Sequence, residues 1–301
     1  MQVPDNFGGL KPEWTDPTRA RFVVLPAPYD ATTTFLKGTR LGPRAVISAS
    51  QQVELWDEEL ERETFREGIA TLPFPAIEDL PPERLPDALE ELARPHLEAG
   101  RCLVTVGGEH SVSLGPIRAA ARVSPDLTVL HIDAHADLRE EYAGTRFGHG
   151  CVMRRVLEDV CLPIVQVGIR SLSPEEAELV RAGRVRTFFN HRVRDMAASV
   201  GAILSAIATQ GVYVSIDVDA FDPALVPGTG TPEPGGLGWW DMLALLRAVA
   251  AARRVVAFDV VETLPIAGQA VSEFVAARLL YRFMGYVVAS AAPGRGRALP
   301  G

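Results

Sequence analysis

The 301 residues carry 38 Asp plus Glu against 30 Lys plus Arg, a net charge of −8 with a pI near 5.4. That balance excludes a general nucleic-acid binder, and 47% hydrophobic with 23% charged residues describes a globular chain long enough to bury a core without disulfides. Three cysteines, Cys102, Cys151 and Cys161, form no CxxC pair and read as free thiols of a reducing compartment.

Residues 1–19 read as a polar N-terminal extension with no apolar core of a signal peptide. The first strand is expected at 21-RFVVLPA-27. A helix over 83–100 follows, then a strand, 101-RCLVTVGG-108, a helix over 111–123 and a strand, 127-LTVLHID-133. Further strands are expected at 163–169, 185–189, 212–217 and 255–262, with helices at 174–183, 198–211 and 239–252. Ser173 suits the N-cap of the 174–183 helix, Pro174 its first turn and Gly183 its end. The most apolar tract, 242–261, is interrupted by Arg247, Arg253 and Arg254. It is too broken for a membrane span, so a soluble cytoplasmic protein with no membrane or nucleic-acid partner is expected. The tail 293-PGRGRALPG-301 reads as frayed. With no internal repeat or linker, 1–301 is expected to be one domain. Strands apolar on both faces, alternating with helices, predict an α/β fold with a mostly parallel central sheet and helices on both sides.

The polar residues gather at strand ends: 107-GGEHS-111, 133-DAHAD-137, 215-SIDVDAFDP-223 and Glu262 in 259-DVVE-262. In open α/β sheets, ligands bind beyond the carboxyl ends of strands. Alternate residues of an extended segment point the same way, so Asp133, His135 and Asp137 converge. With His110, Asp217 and Asp219 they make two imidazoles and four carboxylates, too many for one zinc ion. A carboxylate-rich set suits harder octahedral ions such as Mn²⁺, and bridging carboxylates hold two ions about 3.5–4 Å apart. Each motif alone also reads as structure, a glycine bend, a loop or a capped turn; all three at strand ends read as a metal site. His131 is expected on the opposite face of its strand as a packed core histidine. Asp222 reads as turn chemistry, Cys151 as a small buried hydrophobe and Trp239-Trp240 as packing at a helix start.

GGEHS, DAHAD and SIDVDAFDP, in that order, resemble the ureohydrolase family of arginases and agmatinases, and the resemblance runs from 25-LPAPYDATTTFLKGTRLGPRAV-46 to 258-FDVVETLP-265. It implies a three-layer α/β/α fold and two manganese ions: His110 and Asp137 on one, His135 and Asp219 on the other, Asp133 and Asp217 bridging them. It further implies that a metal-activated hydroxide attacks a guanidino carbon to release urea and an amine. Glu262 would then hold the guanidinium bidentately, and His149 in 147-FGHGC-151 would relay protons to the leaving amine. Asp137 counts among the catalytic side chains as well as the ligands. The family also suggests trimers or hexamers, with the N-terminal segment and acidic 54-ELWDEELERE-63 at subunit contacts or in solvent.

The segment 138-LREEYAGTRFGHGC-151 lacks the SGN stretch of arginases and carries Glu140 and Glu141. An acidic loop repels a substrate carboxylate and attracts an ammonium, so a small cationic guanidino compound is expected, agmatine going to putrescine and urea. Arg139 and Arg146 keep guanidinobutyrate open, and arginine and formiminoglutamate are further alternatives within the family. In a different class stands a catalytically silent metal-binding scaffold.

Overall fold

The computed structural model describes residues 4–193 and 195–291; the 293–301 tail lies outside the described residues. Eight parallel strands form the central sheet: β1 (Phe22–Ala27), β2 (Ile69–Thr71), β3 (Cys102–Gly107), β4 (Leu127–Ile132), β5 (Ile164–Ile169), β6 (Arg186–Phe189), β7 (Gly211–Asp217) and β8 (Arg254–Val261). Their order across the sheet is β2-β1-β3-β8-β7-β4-β5-β6, and every neighbouring pair is parallel. The seven strands expected from sequence appear within one residue at each end. The eighth, β2, is a three-residue edge strand, too short to leave a periodic signal.

Strand parity builds three layers. Val24, Val104, Leu130, Val214 and Phe258 point to one face and pack with α1 (Gly42–Ser50), α6 (Met196–Ala206), α7 (Trp239–Ala252) and α8 (Val271–Ala291). Val23, Leu103, Val129, Tyr213 and Ala257 point to the other and pack with α2 (Leu85–Glu98), α3 (Leu114–Val123) and α4 (Val152–Arg155). The cap of α5 (Pro174–Arg181) forms as the sequence suggests: Ser173 Oγ accepts from Glu176 N, and Glu176 returns a bond to Ser173 N.

Four sequence readings need correction. The helix expected over 198–211 stops at Ala206, because Gly211 already opens β7 and Thr209 turns back to bond Gly211 O at 2.7 Å. Neither α1 nor α8 was read as a helix. Most of α8 is buried, so it has no polar stripe to mark its period; by length and composition alone it would cross a membrane, yet 67% of its apolar window is covered by the protein. The N-terminal extension is part of the core: Phe7 and Leu10 are buried, and Gly8 N donates to Ser50 Oγ at 2.8 Å. Lastly, the acidic 54–63 segment packs on α8 rather than standing free. Buried Asp57 accepts from Arg282 Nη1 at 2.8 Å, which also reaches Glu59 at 3.1 Å.

Candidate metal centre

The carboxyl ends of four adjacent strands, β3, β8, β7 and β4, surround a cavity of about 240 Å³. Gly107 and Gly108 end β3; a Cβ at Gly108 would lie 2.0 Å from Tyr29 O, so only glycine lets the chain turn there. The turn delivers His110 to the first residue of a short 3₁₀ segment. Beyond β4 the chain brings in Asp133, His135 and Asp137, and β7 ends on Asp217 with Asp219 two residues on. Asp137 and Glu262 have left-handed backbones, φ 55° and 63°, a strain of ~1–2 kcal/mol each for residues with a Cβ. Both are held by surrounding bonds: Asp137 O accepts from Met153 N and Arg154 N, and Glu262 N donates to Gly108 O at 2.7 Å.

Two His/Asp clusters share Asp133. Its Oδ2 lies 3.0 Å from His110 Nδ1, and its Oδ1 lies 3.7 Å from His135 Nδ1. On the first side, His110 Nδ1 also faces Asp137 Oδ2 at 3.1 Å and Asp217 Oδ2 at 3.4 Å. On the second, His135 Nδ1 faces Asp219 Oδ2 at 2.9 Å. All six side chains singled out from the sequence are thus brought together.

The surroundings of His110 test whether cations fit. Ser215 Oγ gives its proton to Asp259 Oδ1 at 2.7 Å, so it accepts from His110 Nε2 at 2.9 Å. Nδ1 makes no hydrogen bond. Burial pulls the imidazole down, yet the carboxylates of Asp133, Asp137 and Asp217 around it push it well above its ordinary value. Three buried carboxylates converging on one imidazole nitrogen draw positive charge to that point, which a metal cation supplies as well as a proton does. The acids agree. Burial, then the charges of Asp219 and Asp133, pushes Asp217 well above the usual carboxylate range, and burial with Asp133 pushes Asp219 up to about 6. Divalent cations remove that penalty. The mixed imidazole–carboxylate donor set suits two of them.

Glu262 and His149 stand beside this pair. Glu262 Oε1 accepts from His110 N at 2.8 Å and lies 3.4 Å from His149 Nδ1; Oε2 makes no hydrogen bond among the described residues. His149 is tied down by Thr32 Oγ1, which accepts from its backbone N at 3.0 Å, and by Thr34 Oγ1, 3.2 Å from Nε2. Burial pulls the His149 imidazole down, but Glu262, Asp137 and Glu109 outweigh it and push it up to about 9. A histidine raised in the folded state stabilises the fold fully below its ordinary value near 6.5, and that contribution is lost as pH rises through about 9. Metal-free protein should therefore lose stability over that window relative to a His149→Asn variant. Urea unfolding across pH measures the difference, and a pH-independent gap would contradict the assignment.

The arginase family's sequence profile matches residues 20–285. The chain belongs to that family. It is 41% identical over 273 residues to an N(1)-aminopropylagmatine ureohydrolase of Synechocystis sp., covering 89% of each chain. It is 40% identical over 267 residues to the enzyme of the same name from Thermus thermophilus, covering 88% of this chain and 90% of that one. The agmatine ureohydrolase structure from Thermoplasma volcanium superposes with a TM-score of 0.83 at 29% identity, covering 91% of this chain and 92% of that one. As an arginase-family ureohydrolase, the chain is a hydrolase of guanidino or amidine C–N bonds, with a centre able to hold two metal ions and a three-layer α/β/α fold.

His131 was misread. It has the same parity as Asp133, so it shares its face: Nε2 donates to Asp133 Oδ2 at 2.7 Å while Nδ1 accepts from Gln166 Nε2 at 3.1 Å. It therefore orients the shared carboxylate of the metal centre, and strand parity alone signalled this. Ser215 and Asp259 had no such signal, because their contact runs across two strands. Replacing Ser215 by Ala should weaken metal affinity ~10–100-fold; metal titration of the purified variant measures it, and unchanged affinity would remove Ser215 from the centre.

The 138–151 segment also differs from its reading. Glu140 is engaged by Arg146 Nε at 2.7 Å, by the fully buried Arg155 at 2.9 Å and by Arg154 at 3.3 Å. It is the hub of an internal ion network and is not presented to a substrate; Arg146 is spent on it. Arg139 lies over the Tyr142 ring at 4.4 Å, and both line the cavity. Asp222 is a turn residue as expected, accepting from Ala224 N, Gly235 N and Gly236 N. Cys151 is buried, and Trp239 stacks on Phe221 while Trp240 is exposed.

Proposed function

We infer that the chain is a manganese-dependent ureohydrolase acting on an agmatine extended by an aminopropyl group, releasing urea and the corresponding triamine. The observation that carries the reaction is Asp133, whose two oxygens face the two histidine sides of one centre beside Glu262. The substrate rests on the relatives at 40–41% identity, named for N(1)-aminopropylagmatine. Agmatine itself, giving putrescine and urea, is the second reading, supported by the likeness to the Thermoplasma agmatine ureohydrolase.

In this reading His110 and Asp137 would hold one ion, His135 and Asp219 would hold the other, and Asp133 would serve both. Asp217 would serve both as well: its Oδ2 faces His110, and its Oδ1 accepts from Asp219 N at 2.8 Å on the other side. When bound, the ion pair supplies an activated water at neutral pH. The residues do the rest. Glu262, with Oε2 free, accepts the planar guanidinium and fixes its carbon over the centre. His149, held by Thr32 and Thr34, donates a proton to the departing amine nitrogen. Water enters and urea plus amine leave, so no redox partner is needed.

Urea release by manganese-loaded protein on aminopropylagmatine, agmatine, guanidinobutyrate and arginine tests both levels. Activity should vanish with chelator and return with Mn²⁺. Preference for arginine or guanidinobutyrate would overturn the substrate, and inactivity on all four would favour a silent scaffold.

A further inference from the structure

We propose that Glu233 is the specificity residue that receives the distal ammonium of the substrate, an inference that rests on the extended-agmatine reading above. The loop between β7 and α7 carries Glu233 along the rim of the centre. Its backbone is fixed from both sides. Arg170 Nη2 donates to Asp219 O at 2.7 Å, Glu233 O at 2.7 Å and Phe221 O at 3.3 Å, and Arg170 Nε to Pro234 O at 3.0 Å. Asp222 Oδ2 accepts from Gly235 N at 2.9 Å and Gly236 N at 3.2 Å. A residue so anchored presents its side chain at little entropic cost on binding.

The Glu233 carboxylate stands on the outer side of the metal centre. Its Oε1 lies 4.0 Å from His135 Nε2, the nitrogen facing away from the carboxylate cluster, and its side chain is 36% exposed. No arginine or lysine pairs with it among the described residues. Three other acids at or beside the cavity, Glu140, Glu176 and Glu262, are engaged. Glu140 holds three arginines. Glu176 accepts from Leu138 N and Ser173 N. Glu262 serves His110 N and His149. With the guanidinium at Glu262, a methylene chain leaving past His135 brings a second cation to Glu233. A guanidino acid would set carboxylate against carboxylate there, which costs affinity. Glu233 thus adds, from the loop before α7, an acid to the exposed Glu141 of the 138–151 segment, whose other acid, Glu140, is taken up by arginines.

The alternative role for this carboxylate is to orient His135 through Nε2, as outer partners of metal-bound histidines do. Manganese-loaded Glu233→Gln separates the two. Exposed ammonium–carboxylate pairs are weak, so KM for aminopropylagmatine relative to KM for butylguanidine, whose tail is neutral, should rise roughly two- to fivefold, and the rise should shrink at high salt. Manganese content should match that of the unaltered protein. An unchanged KM ratio, or loss of manganese, overturns the proposal. Calorimetric binding of the triamine to both manganese-loaded proteins needs no turnover. Equal affinities, or no binding to the unaltered protein, overturn the proposal whatever the activity. Weaker binding to Glu233→Gln without urea release from any guanidine would overturn the reaction and leave ammonium recognition standing.

Discussion

Asparagine in place of Asp133 should strip the centre of both metal ions, whereas Asp219→Asn should mainly empty one side. Asp133 is the only residue common to the two His/Asp clusters found among the described residues, and its oxygens are divided between them. An amide keeps one oxygen but turns an NH₂ toward the other side, where a donor meets a cation. Of the two ligand histidines, Asp219 faces His135, at 2.9 Å. Elemental analysis of the purified variants decides it: well below one ion per chain for Asp133→Asn and close to one for Asp219→Asn. Equal occupancy in the two would contradict the shared-carboxylate arrangement. Both variants should fold, since the surrounding β3, β8, β7 and β4 strands are packed on both faces independently of the centre.

The second large effect belongs to Glu262. Replacing it with Gln should lower kcat/KM ~10²–10³-fold while both metals stay bound, because removing the charge from one partner of a buried ion pair costs about 2–5 kcal/mol. Gln retains an oxygen for His110 N and adopts the same left-handed backbone no less readily than Glu. Steady-state kinetics with metal analysis on one preparation checks it. Metal loss in Glu262→Gln would instead make Glu262 a ligand, and unchanged kcat/KM would remove it from substrate binding.

The parallel sheet was legible because its strands are apolar on both faces and end in conspicuous acids and histidines. Motif order then carried the family. What escaped was whatever lacks a local period or depends on contacts between distant strands. β2 is too short, and α8 is too uniformly buried to show a face. His131 is legible in the sequence, since parity with Asp133 fixes its direction. The 138–151 loop misled for a different reason. Glu140 and Arg146 are six residues apart and neutralise one another, and Arg155 arrives from α4, so a charge pattern along the chain does not report the charge presented in space. Ser215, Asp259 and Glu233 were invisible for the same reason.

Asp137 and Glu262 sit in backbone conformations that favour glycine, and five carboxylates crowd one buried region. A sequence chosen for folding alone would replace most of these residues. The centre is thus a standing trade-off in which stability is surrendered locally for chemistry, and the strand ends carrying it, 152 residues apart at His110 and Glu262, are held against their own repulsion by the sheet beneath. Bound cations reverse the sign of that repulsion, so chain segments from His110 to Asp219 become mutually dependent through the ions. Metal binding at such a centre then adds to the stability of the folded protein.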